Sequence, residues 1–438
     1  MSDLAAWIDG VLAGARPQAM AALLRYFRDL DTAEEAFQEA CLRALRTWPD
    51  KGPPRDPTAW LVMVGRNAGV DGARRRARET TLPEETLVSD LEDAEADLAE
   101  RLDGADYRDD VLRLMFTCAH PDLPATQQIA LALRIVCGLT VPQIARAFLV
   151  GEAAMEQRIT RAKARVRRSG ASFETPGAVE RAERLAAVAA MIYLVFNEGY
   201  SANPVETPER ASLCGEAIRL GRLLLRLFPA EPEILGLTAL MLLQHARTQA
   251  RFDAEGQVIL LDDQDRRAWN GMMIAEGLAL VDKAVRQARP GPYQIQAAIA
   301  ALHARAARPD QTDWPQIAGL YQALERHMPS PVVTLNRAVA VSKVGGPEAA
   351  LELIEPLADR LSAYFHFHGT RGSFLMRLGR AAEAREAFDR AVALAGSAAE
   401  AAHIRQQIDR LKAEAQEEAA PAPQAAGQEK TPGAKPGV

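Results

Sequence analysis

"GLTVPQIARAFLVGEAAMEQRITRAKARVRR", residues 138–168, decides how the chain is read. Thr140 can cap a short helix with Pro142 in its first turn. Val141, Ile144, Ala145 and Phe148 give that helix an apolar stripe, and Gly151 breaks it. A second helix is predicted from near Glu152, on which Met155, Ile159, Ala162 and Val166 recur at helical spacing and so face a core. Glu156, Gln157, Arg158, Arg161, Lys163 and Arg165 then lie on or beside the exposed side. A short helix, a tight turn and a second helix with long polar side chains make a helix-turn-helix, whose second helix enters the major groove. Gln and Arg can read base edges there, while the later cations suit phosphates. A plain helical hairpin with a solvated charged face is the competing reading of the same residues.

The chain as a whole is acidic, with a formal net charge of −6, but its charges are segregated. From Arg66 to Arg78 five arginines face the single Asp71, and from Glu79 to Asp110 thirteen acids face only Arg101 and Arg108. Basic, acidic, basic is the pattern of two nucleic-acid-facing modules joined by an acidic connector. The 438 residues are 48% hydrophobic and 25% charged, ordinary globular material for about three domains on a prior of roughly 150 residues each. The start, "MSDLAAWIDG", lacks the basic and apolar parts of a signal peptide. The longest apolar run, Leu185 to Phe196, falls short of the roughly 20 residues of a membrane span. Cys41, Cys118, Cys137 and Cys214 are scattered, as small buried residues of a reducing cytoplasm would be; neither a disulfide framework nor a metal site is expected. No alternating β-type run of any length occurs, so the expected fold is all-α.

An N-terminal module carries independent evidence. "DLDTAEEAFQEACLRALRTWPD" is amphipathic, with Phe37, Cys41, Ala44 and Trp48 on the buried stripe. Its other face holds Glu35, Gln38, Glu39, Leu42 and Arg46, and a leucine exposed among acids suits a docking spot for a partner protein. Single exposed leucines are also common on their own account. After the loop "DKGPPRDPTAW", the helix "TAWLVMVGRNAGVDGARRRARE" carries Trp60, Arg66, Asn67 and the cluster Arg74 to Arg76. Cations on a helix beside a loop suit a strand whose bases have been unpaired. Trp60 itself reads better as a core residue than as a stacking platform.

These residues carry a resemblance. "AEEAFQEACLRALRTW", "PTAWLVMVGRNAGVDGARRR" and "LPATQQIALALRIVCGLTVPQIARAFLVGEAAMEQRITRAKARVR" resemble, in order, regions two and four of bacterial extracytoplasmic function sigma factors, over about residues 10–170. The resemblance implies that region two docks on core RNA polymerase and melts the minus-ten element, while region four reads the minus-thirty-five element. It places Glu35, Gln38, Glu39, Leu42 and Arg43 in the polymerase-binding stretch. It places Trp60, Arg66, Asn67, Arg74 and Arg75 in the minus-ten stretch, with the loop from Trp48 to Asp56 holding a flipped base. Glu156, Gln157, Arg158, Arg161, Lys163 and Arg165 fall on the minus-thirty-five recognition helix. No cofactor is implied.

The chain then continues for over 240 residues beyond Ser169. Gly345, Ala350, Ile354 and Leu357 recur 34 positions later as Gly379, Ala384, Phe388 and Ala391, the tetratricopeptide period, with a weaker copy at Ile317, Tyr321 and Leu324. Such helix pairs stack into a solenoid. Upstream, "YLVFNEGYSANP", "LLDDQDRRAW" and "GPYQIQAAIAALHARAA" resemble the C-terminal domain of a sigma-factor subgroup with tetratricopeptide-like extensions, which also implies a small YCII-related protein as a candidate partner. Glu198, Asp262, Asp263 and Asp265 could be read as an acid cluster for a metal, but acids beside Gly and Asn more often form turns and caps, so no enzyme is expected. "FNEGYSANP" reads as a helix-ending corner.

The expected organisation is region two over 1–78, an acidic linker over 79–110, region four over 111–170, a helical regulatory extension over 171–412 and a disordered tail over 413–438. The expected function is promoter-specific initiation in the cytoplasm, through core RNA polymerase and promoter DNA, under control of the extension. A free-standing helix-turn-helix regulator with a solenoid protein-binding domain is the alternative; it has no use for a polymerase-docking helix.

Overall fold

A computed structural model describes residues 2–77, 105–168, 178–202, 208–395 and 401–409, apart from positions 53, 149, 254, 255 and 257. The expected acidic linker and C-terminal tail lie largely outside the described residues. Among the described residues every regular element is helical, and a single antiparallel bridge joins Phe252 to Val258. The all-α expectation holds. No helix of the described residues is long and apolar enough to cross a membrane.

The chain divides into two compact units, one comprising residues 1–250 with 265–309, the other 251–264 with 310–438. The first begins with three helices, α1 (Ser2–Phe27), α2 (Leu30–Lys51) and α3 (Pro57–Ala77). Asp29 caps α2 by accepting from the Thr32 amide at 2.8 Å, and Asp56 starts α3 by accepting from the amides of Thr58 and Ala59 at 2.9 and 3.0 Å. Satisfying these orphan donors is what makes an Asp an effective N-cap. Phe37 and Ala40 of α2, Leu61 of α3 and Leu23 of α1 meet in the core of this module.

The second module runs α4 (Ala105–Cys118), α5 (Ala125–Ala132), a π-turn over Leu133–Cys137, α6 (Val141–Ala147) and α7 (Glu152–Arg168). Gly138 ends the π-turn at φ 80°, where a side chain would be strained and its Cβ would meet Arg16 at 2.8 Å. Thr140 and Gln143 then form a reciprocal capping box at the start of α6.

The extension, expected as one body over 171–412, is shared between the two units. Helices α8 (Ala178–Tyr200), α9 (Pro208–Ala211), α10 (Leu213–Leu227), α11 (Pro232–His245), α12 (Gly271–Val285) and α13 (Pro292–Arg305) belong with the first. One apolar core runs unbroken from Ala15 of α1 through α4, α5 and α7 into α8, α10 and α11 as far as Leu242. The physical reason is the apolar face of α8: Val188, Ile192, Val195 and Phe196 are fully buried in that shared core. The "FNEGY" corner is structural. A Cβ on Gly199 would meet the Cys214 amide nitrogen at 2.7 Å, so only glycine lets α10 start this close, and Glu198 pairs with Arg210 at 2.8 Å.

The second unit stacks α14 (Trp314–His327), α15 (Pro331–Val344), α16 (Gly346–Ile354), α17 (Phe365–Arg377), α18 (Ala381–Leu394) and a helical run over 401–409. The 34-residue period is visible in the packing. Ala350, Ile354 and Leu357 are buried in the same core as their counterparts Ala384, Phe388 and Ala391. Asp262 pairs with Lys343 at 2.8 Å in this unit.

Candidate nucleic-acid interface

Helix α7 buries Met155, Ile159, Ala162 and Val166, as the helical spacing predicts. That fixes which side chains point outward. Glu156, Gln157, Arg161 and Arg165 are exposed and Arg158 is half-buried. The Arg161 guanidinium donates to the Gln157 side-chain oxygen at 3.1 Å, holding both long side chains extended one turn apart. Arg165 donates to the Asp122 carbonyl at 3.2 Å.

Lys163 is placed differently from the rest of the set. Its ammonium lies 2.8 Å from Asp31 and 2.7 Å from Glu34, both on α2. Burial works against its charge, but the hydrogen bonds to the two carboxylates outweigh that and raise its pKa above the ordinary lysine value. One turn on, Arg167 pairs with Asp29 at 3.4 Å and makes a close contact with Asp31. Glu34 also takes the Arg134 guanidinium at 2.8 Å, and it is 4% exposed. A cavity of about 250 Å³ lies at this seam, lined by Asp31, Glu34, Arg134, Glu156, Thr160 and Lys163 among others.

Two further contacts tie the same modules together. Arg16 of α1 donates to the carbonyls of Ile135 and Arg134 at 2.9 and 3.1 Å, capping the π-turn, with its guanidinium 4.8 Å from the Phe37 ring centroid. Burial lowers its pKa, and the Glu34 charge works the other way. Asp110, buried on α4, receives Arg113 at 2.8 Å and Arg25 of α1 at 3.0 Å.

On α2 the outward face is as the sequence predicts. Leu42 is 50% exposed, and Leu45 beside it is 45% exposed. Glu35, Gln38 and Arg43 are exposed, and Glu39 pairs with Arg43 at 3.3 Å along the helix. On α3, Trp60 packs edge-on against Trp48 with centroids 5.4 Å apart, consistent with a core role. Asn67 is exposed, and Arg66 lies over the ring of Tyr26 at 4.2 Å. Arg74 and Arg75 lie outside the residues whose side chains are described.

Sequence reasoning missed Asp29, Asp31, Glu34, Arg134, Arg16 and Tyr26. One signal was there to be read. Glu34 falls on the apolar stripe of α2, four residues after Leu30 and three before Phe37, and Arg134 interrupts the apolar run "IALALRIVCGL". A charge on a buried stripe implies an opposite charge waiting for it.

The acids around Asp262 gather no metal-binding set. Asp265 caps the Arg267 amide at 3.0 Å, and among the described residues no three His, Cys, Asp or Glu side chains are arranged to hold a metal ion.

Comparison with known proteins agrees with this geometry. Residues 13–79 match Sigma-70 region 2, residues 113–166 match Sigma-70, region 4, and residues 184–285 match a family of unknown function, DUF6596. Uncharacterized protein R00370 of Rhizobium meliloti (strain 1021) is 72% identical over 408 residues, which cover 93% of this chain and 96% of that protein. The chain therefore belongs to the sigma-70 family as a non-enzymatic, extracytoplasmic-function-like sigma factor that binds core RNA polymerase and promoter DNA to direct transcription initiation, with a DUF6596 extension behind its regions two and four.

Proposed function

We propose that the extension governs this sigma factor by fixing the position of region four. The observation that carries the reading is the unbroken apolar core from region two through region four into α8, α10 and α11. Polar groups follow the same route, for Arg219 and Glu216 of α10 interact with Cys137 at the end of the π-turn. An element packed directly on region four acts at high effective concentration, so a change in the extension is felt by the reading helix.

Within that scheme, Glu35, Gln38, Glu39, Leu42 and Arg43 dock on core polymerase. Trp60, Arg66, Asn67, Arg74 and Arg75 serve the minus-ten element, with Trp60 acting as a packed support. Glu156, Gln157, Arg158, Arg161, Lys163 and Arg165 serve the minus-thirty-five element. The cytoplasm is the place of action, and a small YCII-related protein is the candidate ligand of the extension.

The test is run-off transcription with core polymerase, comparing the full chain with one ending at Ser169. The shortened chain is expected to transcribe less while still pulling down some core polymerase. A shortened chain more active than the full one would instead make the extension a built-in inhibitor.

A further inference from the structure

We propose that the acids at the start of α2 are an internal decoy for promoter phosphates, holding the cations of the reading helix until region four is drawn away from region two. The inference rests on the reading of α7 as the minus-thirty-five helix. It goes further by naming what occupies that helix when DNA is absent.

Asp29, Asp31 and Glu34 present three carboxylates to Lys163 and Arg167, which project one helical turn apart. Two cations at that spacing on the C-terminal half of a reading helix are phosphate contacts. A carboxylate at 2.7–2.8 Å offers an ammonium the same charge-assisted hydrogen bond as a phosphate oxygen. The two partners therefore compete. Bound DNA would also bring its own phosphates up against Asp31 and Glu34, so repulsion adds to the competition.

The contact is built to be reversible. A cavity of about 250 Å³ runs along the seam beside these ion pairs, with Asp31, Glu34, Arg134 and Lys163 in its lining. Among the described residues the ion pairs of Glu34 are with Arg134 and Lys163, both of region four, so it loses these two partners together when the modules part. It then becomes a solvated surface carboxylate, with no buried charge left behind. The docking face is wired to the same group. Gln38, one of the residues assigned to polymerase binding, donates to Glu34 at 3.3 Å. Polymerase that engages Gln38 removes a support from the decoy at the moment region four is needed.

The experiment uses the full chain without polymerase and measures its affinity for a randomised duplex pool across a salt series. Asp31→Asn with Glu34→Gln is expected to raise affinity about tenfold at low salt. Release of Lys163 should also steepen the slope of log K against log salt by about 0.9, the value per phosphate contact, and by about 1.8 once Arg167 leaves Asp29 as well. Lys163→Gln with Arg167→Gln should then weaken binding more in the neutralised background than in the native one. That coupling stays readable even if the neutralised chain is less stable, because both arms share its stability. Equal losses in the two backgrounds, with no change of slope, would overturn the decoy. So would an absence of DNA binding by every variant, which removes the reading-helix assignment. Neither result touches the role of the extension, which the transcription assay tests separately.

Discussion

Leu42 stands half exposed between Glu39 and Arg43 and contributes nothing to the module core, so a charge placed there disturbs docking and not folding. Leu42→Asp is expected to abolish pull-down of core polymerase while circular dichroism shows full helical content. Retained pull-down would move the docking surface elsewhere. Gly199 makes the opposite case. A methyl there meets the Cys214 backbone at 2.7 Å and the Arg210 carbonyl at 3.0 Å, neither of which is the free end of a side chain. Gly199→Ala should destabilise the first unit by about 1–3 kcal/mol, the range for overpacking a filled site, read as a lower denaturation midpoint. The thiols behave as core groups too. Burial pushes Cys118 and Cys137 up and Cys41 up to about 11, so the folded chain should resist alkylation near neutral pH and react once unfolded. At this scale the helical period made Leu42 legible, because exposure follows from position on one helix. Glu34 stayed hidden, because its partners Lys163 and Arg134 come from elements about a hundred residues or more away.

Helices α6 and α7 are the elements whose bounds the sequence predicted best. A capping Thr140, a Pro at the second turn position and Gly151 act locally, and the structure starts α6 at Val141 and α7 at Glu152 accordingly. The π-turn over Leu133–Cys137 was not legible, since "IALALRIVCGL" reads as one continuous helix. Its extra residue per turn is stabilised by tertiary partners, Arg16 capping its carbonyls and Gly138 turning the chain. Along α7 the outward groups divide by depth. Gln157 and Arg161 are exposed and bonded to each other, while Arg168 is exposed at the end of the helix. Replacing Gln157, Arg158 or Arg161 by Ala should cost about 1–3 kcal/mol and relax preference at one or two upstream promoter positions. Replacing Arg168 should weaken all sequences evenly and flatten the salt dependence. A promoter library in which both groups lose affinity without regard to sequence would remove the base-reading role of α7.

For the molecule as a whole, the 34-residue repeat announced the second unit, but nothing local announced that α8 to α13 would join the sigma modules. That division depends on which apolar faces find each other, and the faces of α4, α5 and α8 each look like any amphipathic helix when read alone. The shared core makes a sharp prediction about where the chain can be cut. Ending it at Ser169 removes Val188, Ile192, Val195 and Phe196, all fully buried, from a core they share with Val111, Met115 and Leu131. Ending it at Pro309 removes the repeat unit and leaves that core whole, apart from residues 251–264, which pack with the unit that is lost. Chemical denaturation followed by circular dichroism should therefore give the Pro309 chain a midpoint near that of the first transition of the full protein. The Ser169 chain should unfold at clearly lower denaturant, because several large side chains lose burial worth about 1.5–3 kcal/mol each. If the two shortened chains unfolded alike, region four would be independent of the extension, and control by packing would fail. If instead the Pro309 chain keeps both stability and run-off transcription, the repeat unit is a detachable sensor and the grip on region four belongs to α8, α10 and α11.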